Sequence, residues 1–132
     1  EDYEGVIQDY TTLLKFEPQN SNALFTRGAL LCMLNKPQEG IKDLDAYLLL
    51  NPNDNVAYFN RGSAKESLKD YKGAIADFSK AISIDPQDAS AYYGRGNTKG
   101  KSGDTKGSCE DYNKAQTMGH VKAKEMFEQH CK

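Results

Sequence analysis

The stretch YYGRGNTKGKSGD, residues 92–104, holds the groups from which a phosphate loop is made: glycines that leave backbone N–H groups open to an anion, a lysine and a hydroxyl. Gly100-Lys101-Ser102 matches the end of such a loop, but the place five residues before Gly100 is Arg95. Gly94 and Gly96 flank that place without filling it. The dinucleotide pattern G-x-G-x-x-G fails as well, because Lys99 stands three residues after Gly96. The preceding PQDASA has no β-branched run that would form the strand feeding either loop. A phosphate- or nucleotide-binding enzyme is therefore a distant alternative.

Other reactive residues give no better start. Cys32, Cys109 and Cys131 are odd in number and irregular in spacing, so neither a disulfide framework nor a zinc site is expected. His130 and Cys131 are adjacent, but helix neighbours point about 100° apart and no second acid or histidine is placed to complete a nucleophile. No catalytic residue, metal or cofactor is assigned. Lys and Arg number 17 against 19 Asp and Glu, so no basic field points to nucleic acid. The longest apolar run, ALLCML at residues 29–34, is far short of the roughly 20 residues that span a bilayer.

What positions these residues is internal repetition. ALFTRGALLCMLNKPQEGIKDLDAYLLLNPND, AYFNRGSAKESLKDYKGAIADFSKAISIDPQD and AYYGRGNTKGKSGDTKGSCEDYNKAQTMGHVK stack without a gap at a step of 34 residues. Arg27-Gly28, Arg61-Gly62 and Arg95-Gly96 fall in register. So do Phe25, Phe59 and Tyr93, and so do Asp43, Asp77 and Asp111. Residues 1–20 match only the second half of the unit, with Asp9 in the aspartate column and Pro18 aligned with Pro52 and Pro86. The units are 21–54, 55–88 and a degenerate 89–122, followed by a capping helix over 123–132, all in one solenoid domain.

Each unit reads as two helices. Val56, Phe59, Gly62, Ala64 and Leu68 line one face of the first, and Tyr71, Ala74, Ile75, Phe78, Ala81 and Ile82 line the second at three-and-four spacing. Asp70 and Asp104 stand at N-cap positions of second helices, and Pro37 stands at a first helical position. Pro18, Pro52 and Pro86 end the second helices, after which NSN, NDN and QDA offer caps for the next ones. Ala123, Met126, Phe127, His130 and Cys131 form the apolar stripe of the cap, and Cys109 aligns with Ile7, Ile41 and Ile75 as a buried apolar residue.

This pattern resembles the tetratricopeptide repeat family over nearly the whole chain, with Tyr58, Gly62, Ala74, Phe78, Ala81 and Pro86 of the middle unit giving the best match. Leu24, Ser108 and His120 depart from it. The resemblance implies an all-α, right-handed superhelical solenoid of antiparallel helix pairs, whose first helices face a concave groove suited to a partner segment. The groove positions carried over are Asn22, Phe25, Thr26, Ala29, Cys32 and Met33; then Val56, Phe59, Asn60, Ser63, Glu66 and Ser67; and then Ser90, Tyr93, Gly94, Asn97, Gly100 and Lys101. Phe25, Phe59 and Tyr93 would form an aromatic ladder, with Asn60 and Asn97 available to a peptide backbone. Co-chaperone members grip a C-terminal carboxylate with basic residues at places held here by Phe25, Ser90 and Gly94. Only Asn60 agrees, so that clamp is absent.

Leucine is usual in the family where Arg27, Arg61 and Arg95 stand. A partly buried guanidinium needs a carboxylate, so structural pairing with the aspartate column of Asp9, Asp43, Asp77 and Asp111 is expected, either within a unit or with the preceding one. Gly96 lets two helices approach. Gly94 and Gly100 have no counterpart and should loosen their helix by about 1 kcal/mol each relative to alanine. The expected function is a non-catalytic protein-interaction scaffold for an extended or helical protein or peptide segment, with no nucleic acid and no membrane insertion. The alternative is assembly through the N-terminal helix, residues 3–17, whose stripe Val6, Ile7, Tyr10, Leu13 and Leu14 lacks a partner helix and marks the chain as a piece of a longer array.

Overall fold

The computed structural model describes residues 2–132, which form eight α-helices and, among the described residues, no strand. They are α1 Tyr3–Phe16, α2 Ser21–Met33, α3 Pro37–Leu50, α4 Asn55–Ser67, α5 Tyr71–Ile84, α6 Ala89–Lys101, α7 Thr105–Thr117 and α8 Val121–His130. α2 pairs with α3, α4 with α5 and α6 with α7, and successive pairs stack. The fold is an all-α solenoid.

Punctuation recurs with the repeat. Asn20, Asp54 and Asp88 cap α2, α4 and α6, each side chain accepting from a backbone N–H of the first turn. Asp70 and Asp104 do the same for α5 and α7, whereas α3 begins with Pro37 at its first position and has no side-chain cap. The turn inside each unit is left-handed at one residue: Asn35 at φ 60, Lys69 at φ 62 and Gly103 at φ 94. Around Lys69, the Asp70 N–H reaches the Lys65 carbonyl and the Lys69 N–H the Glu66 carbonyl, a Schellman motif that satisfies the end of α4. Gly119, at φ 88, repeats that motif at the end of α7.

Within a unit the helices touch at the glycine column. A Cβ on Gly62 would lie 3.2 Å from the Asp77 Cβ and 3.3 Å from the Phe78 ring, and Gly28 and Gly96 meet the matching residues of their own units. The core runs through Ala23, Leu44, Ala57, Ala74, Phe78, Ala81, Ala91, Ala115 and Ala123, all essentially inaccessible.

Each repeat arginine joins three helices. Arg27 donates through Nε and Nη2 to Asp43, both at 2.7 Å, and Arg95 donates likewise to Asp111 at 2.8 and 2.7 Å. The pairing is thus within the unit. The third nitrogen turns to the preceding second helix: Arg27 Nη1 to Thr11, Arg61 Nη1 to Asp45 and Arg95 Nη1 to Ser79, always 16 residues back. Asp9 departs from expectation. It is exposed, and no ion pair to it is found among the described residues, because Arg27 reaches Thr11 one strip further round α1.

The C-terminal end also differs. α8 covers Val121–His130 rather than 123–132, and His120, in the proline column, is its N-cap, with Nδ1 accepting from the Ala123 N–H at 3.2 Å. Cys109 of α7 and Cys131 form a disulfide, with Cα atoms 5.6 Å apart. The cysteine count concealed this pair because only Cys32 is left over, and Cys109 is half-buried in a bond, not a plain apolar residue. Gly94 is a packing feature too: a Cβ there would sit 2.8 Å from Phe78.

Candidate functional site

α2 contacts α4 and α4 contacts α6 across the units, so the first helices line one side of the solenoid. Between α4, α6 and the start of α8 lies an open cavity of about 650 Å³. Seven expected groove residues, Phe59, Ser63, Glu66, Ser90, Tyr93, Gly94 and Asn97, stand together on its wall. Asn22, Phe25, Thr26, Ala29 and Met33 of the first unit lie outside it, as do Val56, Asn60 and Lys101. Helical phase separates Asn60 from Phe59: the asparagine is half-buried but turned off the cavity.

Sequence reasoning missed the other wall. Gly119, His120, Val121 and Lys122 close the cavity at the junction of α7 and α8. The His120 ring stacks on Tyr93, with centroids 4.5 Å apart and planes at 22°. Because its Nδ1 accepts from the backbone, the neutral imidazole carries its proton on Nε2. The signal available in the sequence was the absence of proline at 120.

The aromatics lean on second helices of their own units and not on one another. Ring centroids are 5.1 Å apart for Phe25 and Tyr47, 5.5 Å for Phe59 and Phe78, and 6.0 Å for Tyr93 and Tyr112. Each is half-buried, so one face packs and the remainder stays open to the groove.

The polar groups are held in place. Glu66 accepts from the buried Thr98 hydroxyl and pairs with Lys101, whose ammonium is pushed up from its ordinary pKa chiefly by that bond. Tyr112 donates to Asn97 Oδ1 at 2.7 Å, and burial raises its own pKa. Asn97 therefore offers its N–H groups to the cavity. What the wall presents is an apolar floor with the Asn97 amide, the Glu66 carboxylate and serine hydroxyls around it.

A second cavity of about 350 Å³ lies among α6, α7 and α8, and Asn97 lines both. Lys101, expected in the groove, lines this one. No helix among the described residues is long and apolar enough to cross a membrane.

Comparison with known proteins agrees with this geometry. A family model described as TPR repeat matches residues 66–103, and one described as tetratricopeptide repeat matches residues 89–118. Among curated proteins no match to the sequence is found. A crystal structure of MamA superposes with a TM-score of 0.93 at 25% identity, covering 98% of this chain and 77% of that one. YrrB, described as a TPR protein with an unusual peptide-binding site, gives 0.90 at 23% identity over 96% of this chain and 66% of its own. The first TPR domain of Spaghetti (RPAP3), solved with an HSP90 peptide, gives 0.79 at 21% identity over 84% and 90%. With its 34-residue step, glycine column and stacked helix pairs, the chain is a tetratricopeptide repeat protein.

Proposed function

We propose that this protein-interaction scaffold binds an extended or helical segment of a partner in its concave groove, and acts by binding and not by catalysis. The observation that carries the reading is the cavity between α4, α6 and α8, where half-buried Phe59 and Tyr93 meet the Asn97 amide and the Glu66 carboxylate, whose positions are fixed by internal partners. Apolar anchors ringed by oriented polar groups give affinity and register together. The peptide-bound TPR domain of RPAP3 supports a segment as the ligand class. Selection of a displayed random-peptide library on the whole chain tests this. Peptides that enrich should lose at least tenfold in affinity on Ser63→Tyr, which fills the groove from an exposed position, and keep it on Lys80→Tyr of α5. Equal binding to both variants would place the ligand elsewhere.

Self-association through α1 is a second reading. None of its residues is buried, and Val6 is 39% exposed. Sedimentation at rising concentration separates the readings, since Val6→Lys should abolish any self-association and leave peptide binding unchanged.

A further inference from the structure

The second cavity marks a departure from the repeat. Its wall includes Gly100, Thr105, Ser108 and Tyr112, which stand one period after Glu66, Tyr71, Ala74 and Phe78. In the middle unit the residue at the Thr105 position is Tyr71, half-buried and close enough to Lys101 to act on it electrostatically; in the first unit it is the buried Pro37. The third unit has Thr105, which is exposed, and Gly100 takes the place of a long side chain. Both changes remove bulk from one place, and the cavity of about 350 Å³ is what they leave. Met126 of α8 and the Cys109 end of the disulfide form an apolar side, the Tyr112 ring the floor, and Thr105 and His130 a polar rim.

We propose that this cavity receives an aromatic side chain of the partner segment, which stands in for the ring that Tyr71 supplies at the Thr105 position of the preceding unit. An apolar cavity of about 150 Å³ already admits benzene, so one ring fits. The sulfur atoms of Met126 and the disulfide give the ring edge contacts that aromatic groups favour. Continuity supplies the source: Asn97 lines both cavities, so a segment lying in the groove reaches the second with one residue. The choice of source rests on the groove reading; the ring site itself does not.

The test uses p-cresol, the tyrosine side chain cut at its β-carbon, added to the whole chain and followed by NMR. Saturable shifts at the Met126 methyl and at Thr105 are expected. Thr105→Tyr, which restores the repeat residue, should abolish them while helicity is unchanged, and Thr105→Val, which leaves the space open, should not. Absence of saturable shifts, or their persistence in Thr105→Tyr, overturns the proposal. Peptides selected on the groove should carry an aromatic residue whose change to alanine costs at least tenfold on the native chain and nothing on Thr105→Tyr. Aromatic-free peptides of equal affinity overturn the assigned source. If p-cresol binds and no peptide is selected, the ring site stands and the groove reading falls.

Discussion

Lys65 Nζ lies 3.0 Å from Asp77 Oδ2, the oxygen that also accepts from Arg61 Nε at 2.9 Å. Two cations thus share one buried carboxylate, and Lys99 repeats the arrangement on Asp111 at 2.9 Å. In the first unit the matching place is Leu31, and Arg27 is the one cation paired with Asp43 among the described residues.

That difference orders two mutations. Arg27→Leu should cost about 3 kcal/mol, since it strands a carboxylate, and Asp43→Leu added to it should recover much of the loss. Arg61→Leu should cost less, because Lys65 remains on Asp77. Urea unfolding of the three variants decides the matter, and equal losses at Arg27 and Arg61 would show that the lysine does not compensate.

These networks mark where the sequence could be read and where it could not. Columns of one residue type were the most legible: Arg27, Arg61 and Arg95 meet Asp43, Asp77 and Asp111, and only Asp9, at the start of the column, stands apart. The third arginine contact was not, because its column holds Thr11, Asp45 and Ser79, which share only the ability to accept a hydrogen bond. The disulfide was hidden for a related reason. Cys109 sits in a column of isoleucines, and its partner is 22 residues away beyond a helix outside the repeat. The cavity was half legible: its first-helix wall is made of residues that the family resemblance implied, whereas the wall from His120 to Lys122 depends on how α8 docks.

Lys69 is a cost built into the middle unit. It occupies the left-handed turn at φ 62 where the third unit has Gly103 at φ 94, and a side chain with a β-carbon pays about 1 kcal/mol there. Lys69→Gly should raise stability by about 0.5–1 kcal/mol. A lowered denaturation midpoint would show that the lysine stem makes contacts worth more than the strain.

Tyr47 ties the end of α3 to the start of α4. Its hydroxyl donates at 2.6 Å to Asp54, the residue capping α4, and that bond pushes its pKa up to about 12. The folded protein therefore holds this proton where the unfolded chain, with an ordinary tyrosine value of about 10, has begun to lose it. Stability from this bond is complete below about pH 10 and falls as pH rises towards about 12. In an alkaline titration followed by phenolate absorbance, Tyr47→Phe should remove a late-titrating component and flatten the stability loss over that interval. An unchanged late component would assign it to another tyrosine.

α8 has ten residues, too few to be stable alone, and one of them, Ala123, is fully buried. The Cys109–Cys131 bond closes a loop of 22 residues, for which chain entropy gives about 3 kcal/mol. Reduction by a dithiol, or Cys131→Ser, should lower the unfolding temperature and raise amide exchange in residues 124–130 above that of α4. Stacking on Tyr93 should keep His120 in place longer. Exchange in α8 that is unaffected by reduction would mean that Met126 and Phe127 hold the helix without the bond.

Gly94 and Gly100 lie on the same helix, and alanine should act at them in opposite directions. Either change gains about 1 kcal/mol of helix propensity. At Gly94 the new Cβ would come within 2.8 Å of the ring of Phe78, which is 1% exposed and packed by Phe59, so a stiff, buried ring must shift to admit it. Overpacking of that kind costs about 1–3 kcal/mol, and Gly94→Ala should be net destabilising. At Gly100 the nearest atom is the Ser108 hydroxyl at 3.1 Å, which rotates on its own Cβ, and the next contact is an ordinary 3.7 Å. Gly100→Ala should therefore keep most of its propensity gain, and thermal unfolding of the two variants should shift oppositely. A rise for both would mean that Phe78 can move, and that the glycine at 94 serves the groove and not the core.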